Sequence, residues 1–195
     1  MAGFLALSLI IAGCGGGSTK VARVQSDTDI DLSGRWNDGD SRRVADEMIM
    51  DALNQRWIIA WEQKGEVPTV VVGRVTNKSH EHISVETFTR NIQRALLNSG
   101  KVNFVADRDE REQIRSERND QAGNASLETR SFSGQEIGAN LMMTGSINAI
   151  VDREGKRSVI FYQVNMELVN METNQKVWIG EKKIKKYVER ASAKL

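Results

Sequence analysis

The sequence is poor in the residues that usually carry chemistry. Of its 195 residues one is cysteine, one is proline and two are histidines. A single cysteine, Cys14, excludes an internal disulfide and any metal cluster built from cysteines. The two histidines, His80 and His82, flank Glu81, and alternate residues of an extended segment share a face. A zinc site needs three or four protein ligands, and no third is evident, so no metal is expected there. No glycine-rich phosphate loop is present and no nucleophile is visible beside a base, so neither a cofactor nor an enzymatic activity is expected. Charge has no dominant sign: 27 Lys and Arg stand against 26 Asp and Glu, interspersed, for a net +1. That balance argues against a nucleic-acid partner. Finally, no apolar run approaches the ~20 residues that a membrane-spanning helix needs.

What is present is a folding unit from Thr69 to Asp107. Val70, Val71, Val72 and Val75 form a β-branched run just after Pro68, which reads as a strand buried on both faces. Val85, Phe88, Ile92, Ala95 and Leu96 then recur at helical spacing, with Glu86, Arg90 and Arg94 on the opposite side. Ser84 can cap the start of this helix and Gly100 can supply the left-handed residue at its end. Val102 to Ala106 returns as a strand, with Val102 and Phe104 on one face. A strand–helix–strand unit with short connections implies a layered α/β domain, and the length suits one core rather than two.

Before this unit, Ala45, Met48, Ile49, Ala52 and Leu53 form a helical stripe, with Trp57 and Trp61 one turn apart beyond it. It reads as a core-facing helix carrying Asp46, Glu47 and Asp51 toward its start, where the helix dipole favours acids. After the unit, Asp107 to Gln121 reads as a charge-laced solvated helix around a lone Ile114. Gly123 to Arg130 reads as a loop. Ser133 and Glu136 have capping-box spacing, which predicts a short helix through Ile137 and Ala139. Leu141 to Asp152 reads as a strand with a turn over Asp152 to Lys156. Ile160, Tyr162, Val164, Met166 and Leu168 alternate with polar neighbours as in a half-buried antiparallel strand. A turn over Asn170 to Gln175 leads to a third strand holding Val177, Ile179 and Ile184, and the basic end from Lys182 reads as a solvated edge or tail. The expected fold is α/β (α+β): a single mixed, largely antiparallel sheet flanked by helices, over residues 41–195.

The amino-terminal end has a different character. Phe4 to Ile11 is an apolar run of signal-peptide length, followed by Ile11-Ala12-Gly13-Cys14. This is similar to a bacterial lipobox, in which small residues precede a cysteine that takes a diacylglycerol, so residues 1–13 are expected to be a lipoprotein signal peptide and Cys14 the lipidated first residue of the mature protein. Gly15-Gly16-Gly17-Ser18 cannot continue a helix, which counts against a buried thiol. Met1-Ala2-Gly3 lacks the positive start of a signal peptide, so the initiator is expected upstream. Gly15 rather than Asp after the cysteine favours the outer membrane by resemblance to lipoprotein sorting. Residues 14–40 read as a flexible tether, up to ~80 Å when extended and ~30 Å as a coil. Asp27, Asp29 and Asp31 alternate like a calcium loop, but Leu32 stands at the sharp-turn glycine position and Asp38 where a bidentate Glu belongs. Trp36, a large apolar side chain amid polar ones, either folds back on the domain or serves with Arg35 as a partner anchor.

Together these residues resemble a known family. The lipobox, Leu32-Ser33-Gly34-Arg35-Trp36-Asn37-Asp38, the run Val72-Gly73-Arg74-Val75-Thr76-Asn77-Lys78 and Thr87-Phe88-Thr89-Arg90-Asn91-Ile92 are similar to the LpoB-type lipoproteins, activators of penicillin-binding proteins. The resemblance implies a non-catalytic lipoprotein of the outer membrane, facing the periplasm. Its domain, related to the amino-terminal domain of TolB, would act as a monomer and dock on a class A penicillin-binding protein to stimulate peptidoglycan synthesis. Family members often carry a long proline-rich linker, and residues 15–40 contain no proline. An assembly or secretion lipoprotein resembling the curli-pore component is the second reading.

Overall fold

In the computed structural model, residues 19–132, 134 and 136–190 are described. The first helix, α1 (Asp38–Leu53), turns Val44, Ala45, Met48, Ile49 and Ala52 into the core. Asn37 caps it in a reciprocal capping box with Asp40, so the acids of its first turn are Asp38 and Asp40. This corrects the expected start: Asp46, Glu47 and Asp51 lie in its middle and late turns, and the helix begins inside the stretch read as tether. At Asn54 the side chain bonds back to the Met50 carbonyl and the helix stops; such competition by short polar side chains is why Asn sits poorly in helix interiors. A second helix, α2 (Arg56–Glu62), buries Trp57 and Ile58, and the Trp57 indole donates to the Ala52 carbonyl at 2.8 Å.

The central unit folds in the expected order, except that its second strand shrinks from the expected Val102 to Ala106 to Asn103–Phe104. It comprises β1 (Thr69–Asn77), α3 (Val85–Asn98) and β2 (Asn103–Phe104). Ser84 caps α3, Phe88, Ile92 and Leu96 form its buried stripe, and Gly100 takes a φ of 68° just past its end. The following helix, α4 (Arg108–Asn124), starts from a capping box between Asp107 and Glu110 and buries none of its residues. Three long strands complete the chain: β3 (Leu141–Glu154), β4 (Arg157–Asn170) and β5 (Lys176–Glu189).

The sheet has the order β2-β1-β3-β4-β5, with β2, β1 and β3 parallel and β3, β4 and β5 antiparallel. It is mixed and largely antiparallel, as expected. Helices α1 and α3 pack on each other and on the face formed by Met143, Ile147, Tyr162, Val164, Met166 and Leu168. The opposite face of β3 and β4 carries Ser146, Asn148, Gln163 and Asn165, all half-buried.

The carboxy-terminal half departs from expectation at several points. No helix forms over Glu136 to Ala139, while Ser133 and Gln135 lie outside the described residues; the Glu136 carboxylate instead takes Arg115 at 2.7 Å and Arg118 at 3.2 Å from α4. As expected, β5 holds Val177, Ile179 and Ile184; within it Trp178, paired with the inward Leu168, is buried, whereas Ile179, paired with Glu167, is 62% exposed. The strand runs on to Glu189 at the edge of the sheet, so the basic end from Lys182 is the edge rather than the tail: Lys183 and Lys185 are exposed while Ile184 and Val188 pack on the core. The β3–β4 turn is tighter than expected, closing at Gly155 with a φ of 56°. Among the described residues, no helix is long and apolar enough to cross a membrane.

Candidate functional site

The polar groups of this molecule converge where the chain enters the domain. The loop after β1 is tied by Asn77, whose amide donates to the Glu81 carbonyl at 2.7 Å and whose side-chain oxygen accepts from Ser79. This aims the Glu81 carboxylate inward, where it accepts the Tyr162 hydroxyl at 2.8 Å and the Trp36 backbone N–H at 3.0 Å. Tyr162 is fully buried, and burial first and the Glu81 carboxylate second raise its pKa above the ordinary tyrosine value. It is therefore a neutral hydrogen-bond donor. The Trp36 indole donates to Ser41 Oγ at 2.7 Å, and its ring meets Tyr162 and Phe88 edge to face, with centroids 5.4 and 6.4 Å apart.

A second knot lies on β5. The Lys186 side chain is 11% exposed and sets its ammonium 2.6 Å from Asp31 and 2.6 Å from the buried Asp40, with the Arg35 carbonyl at 3.2 Å. Burial alone would depress the Lys186 pKa, but the two carboxylates outweigh it and the net shift is upward. The hydrogen bond from Lys186 holds the Asp31 carboxyl below its usual range, with burial opposing. Asp29 accepts from Arg42 at 3.3 Å and Arg43 at 3.0 Å, and Arg42 reaches the Ser26 carbonyl. Gly34 has a φ of 71°, and a Cβ there would stand 2.2 Å from Val188 Cγ2. Residues 26–37 thus form a strap laid across α1 and the end of β5.

Of the residues singled out by sequence, Cys14 lies outside the described residues. Trp36 folds back on the core, and Arg35 beside it is exposed, using only its backbone. His80 and His82 are exposed on either side of a Glu81 that is already engaged. Among the described residues, no three His, Cys, Asp or Glu side chains converge as a metal site. Asp29 and Asp31 anchor the strap. Sequence reasoning missed both the Glu81–Tyr162 pair and the Lys186–Asp31–Asp40 cluster. A signal existed: Tyr162 is a polar tip at an inward position of β4, and a buried phenol needs a partner. Lys182 and Lys186 share the inward parity of β5, and each finds a carboxylate, Glu47 for the first.

A cleft of about 730 Å³ opens elsewhere, between the carboxyl-terminal half of β1 and the first turns of α3 and α4.

A family model described as peptidoglycan-synthase activator LpoB matches residues 40–184. Among solved structures, the chain is similar to the LpoB C-terminal domain from Escherichia coli, at 17% identity over 74% of this chain and 98% of that one, with a TM-score of 0.46. The LpoB C-terminal domain from Salmonella enterica gives 17% identity over the same shares, 74% and 98%, with a TM-score of 0.44. Lipoprotein GNA1162 from Neisseria meningitidis gives 11% identity over 65% of this chain and 88% of that one, with a TM-score of 0.39. No curated protein sequence matches the chain.

Proposed function

The chain belongs to the LpoB family of peptidoglycan-synthase activators, and from that premise we propose that it is a non-catalytic, outer-membrane lipoprotein that docks on a class A penicillin-binding protein and stimulates it. The family match over residues 40–184 carries the reading. In it, residues 1–13 are the signal peptide, Cys14 bears the lipid, and a monomeric domain is presented to the synthase in the periplasm. The strap supports this reading physically. Any pull or thermal motion passing up the chain from Cys14 meets the ion pairs of Asp29 and Asp31 before it reaches the core. The chain therefore leaves the domain from a fixed point on its surface, and the exposed Arg35 side chain is the partner contact proposed at that end.

Binding and stimulation are tested together. The full chain should co-purify with a class A penicillin-binding protein and raise its cross-linking rate; failure of both would end this reading. Fractionation of cells making the labelled lipoprotein should place it in the outer membrane, and replacing Cys14 by Ser should release it.

A further inference from the structure

The cleft beside β1 is built by an irregularity that neither the core nor the strap uses. Val72 pairs with Met143 and Val75 with Gly145, so Gly73 and Arg74 together oppose Thr144 alone. This is a β-bulge, a device that re-aims side chains and recurs next to binding sites. Gly73 leaves the floor of the cleft as bare backbone, since a Cβ there would crowd Met142 Sδ and Thr144 Cγ2, each at 3.1 Å. Arg74 is exposed at the wall of the cleft and makes no hydrogen bond or ion pair among the described residues. Arg90, in the same wall, is already held by Glu110 at 2.7 Å. The cleft also lies where the chain reverses its winding: β1 leads through α3 outward to β2, and β2 leads through α4 back across β1 to β3. Crevices at such reversals, outside the carboxyl ends of parallel strands, are where open α/β sheets bind ligands.

The charges select the ligand. The amide groups at the starts of α3 and α4 are already capped by Ser84 and by the Asp107–Glu110 box, so they are not the anion site. Glu86 and Asp109 stand in the lining as carboxylates without a hydrogen bond. With Asp107 and Glu110 beside them, they would repel a phosphate, which carries more than one negative charge. A single open guanidinium suits one carboxylate, held by two parallel hydrogen bonds. The unbonded acids suit an ammonium, and Val72, Val75 and Met142 give the wall between them an apolar surface. The volume falls within the 300–1,000 Å³ usual for small-molecule sites. We propose that the cleft between β1, α3 and α4 binds a short peptide with a free amino group and a free carboxylate, the carboxylate on Arg74.

The inference goes beyond synthase activation and is independent of it, because the readout is peptide binding by this chain alone. Isotope-labelled full chain is titrated with trialanine and followed by amide shifts. Saturable shifts are expected at Gly73, Thr89 and Gln113. Arg74→Ala should weaken binding about tenfold or more, a loss of roughly 1.4 kcal/mol or above, with Arg74→Lys in between because the paired hydrogen bonds are lost. Arg74 is exposed, so an unchanged melting temperature will certify both variants as folded. The proposal fails if trialanine at millimolar concentration leaves these amides unmoved. It fails equally if N-acetyl-trialanine amide or inorganic phosphate binds there as tightly, or if Arg74→Ala binds like the wild type.

Discussion

Glu81 satisfies two donors at once, the buried Tyr162 hydroxyl and the Trp36 amide. Removing it orphans both inside the protein, at about 1–3 kcal/mol for each unsatisfied group. Glu81→Ala should therefore lose about 2–4 kcal/mol in urea unfolding, and Glu81→Gln, which keeps an acceptor oxygen, should recover part of that. Trp36→Ala removes ring contacts that are only half-buried, so about 2 kcal/mol is expected, below the 3–5 typical of fully buried Trp. If Trp36→Ala instead leaves the melting temperature unchanged and abolishes synthase binding, its ring is a partner contact. The Asp31–Lys186 pair gives a pH signature. Asp31 has a lowered folded-state pKa, so its contribution is present above the unfolded value of ~3.9 and is lost as pH falls through the folded value. Lys186 has a raised one, so its contribution is present below ~10.4 and lost as pH rises through its folded value. The stability difference between wild type and Asp31→Asn should stay flat through neutral pH and close on acidification below about pH 4. A difference that persists in acid would show that the ion pair is not its source.

Helices α3 and α4 separate by what they bury. α3 seats Phe88, Ile92 and Leu96 in the core, whereas α4 buries nothing and is held by its capping box, Arg90–Glu110 and the Arg115–Glu136–Arg118 cluster. Surface ion pairs contribute little, typically 0–1 kcal/mol each. Amide hydrogens of α4 should therefore exchange much faster than those of α3, and added salt should widen the gap. Equal protection would mean that α4 is packed in solution. Both helices were legible in the sequence, one through its apolar spacing and the other through its lack of any. The alternation in β4 was equally legible, because a strand with one buried face must repeat every second residue. What was not legible depended on partners distant in sequence. Trp178 rather than Ile179 points inward because it pairs with the inward Leu168, while the slip at Val169 leaves Val177 beside it also packed on the core. Ser133 and Glu136 have capping-box spacing, yet Glu136 is drawn to two arginines of α4 instead. Nor could local pattern show that Asp31 and Asp40 wait for a lysine at position 186.

For the whole molecule the strap decides how far the domain can stand from its proposed anchor. A free tether from Cys14 to residue 40 would extend to ~80 Å, whereas with residues 26–37 laid down, only the residues from 15 to 25 remain, ~35–40 Å at full stretch. The strap is therefore a store of about a dozen residues, on the order of 40 Å of chain. It is held chiefly by side-chain ion pairs and by Trp36, whereas β4 and β5 beneath it are zipped along their whole lengths. Under load the strap should yield first. Unlipidated chain carrying Glu172→Cys, at the exposed β4–β5 turn, can be pulled between that position and Cys14. A first rupture with a contour gain of about 40 Å should precede unfolding of the sheet, at a force that drops in Lys186→Ala and at high salt. A single rupture of the entire domain, unaltered by Lys186→Ala, would instead make residues 26–37 an inseparable part of the core. The domain would then be confined within ~40 Å of its proposed anchor, and a synthase partner would have to come to it.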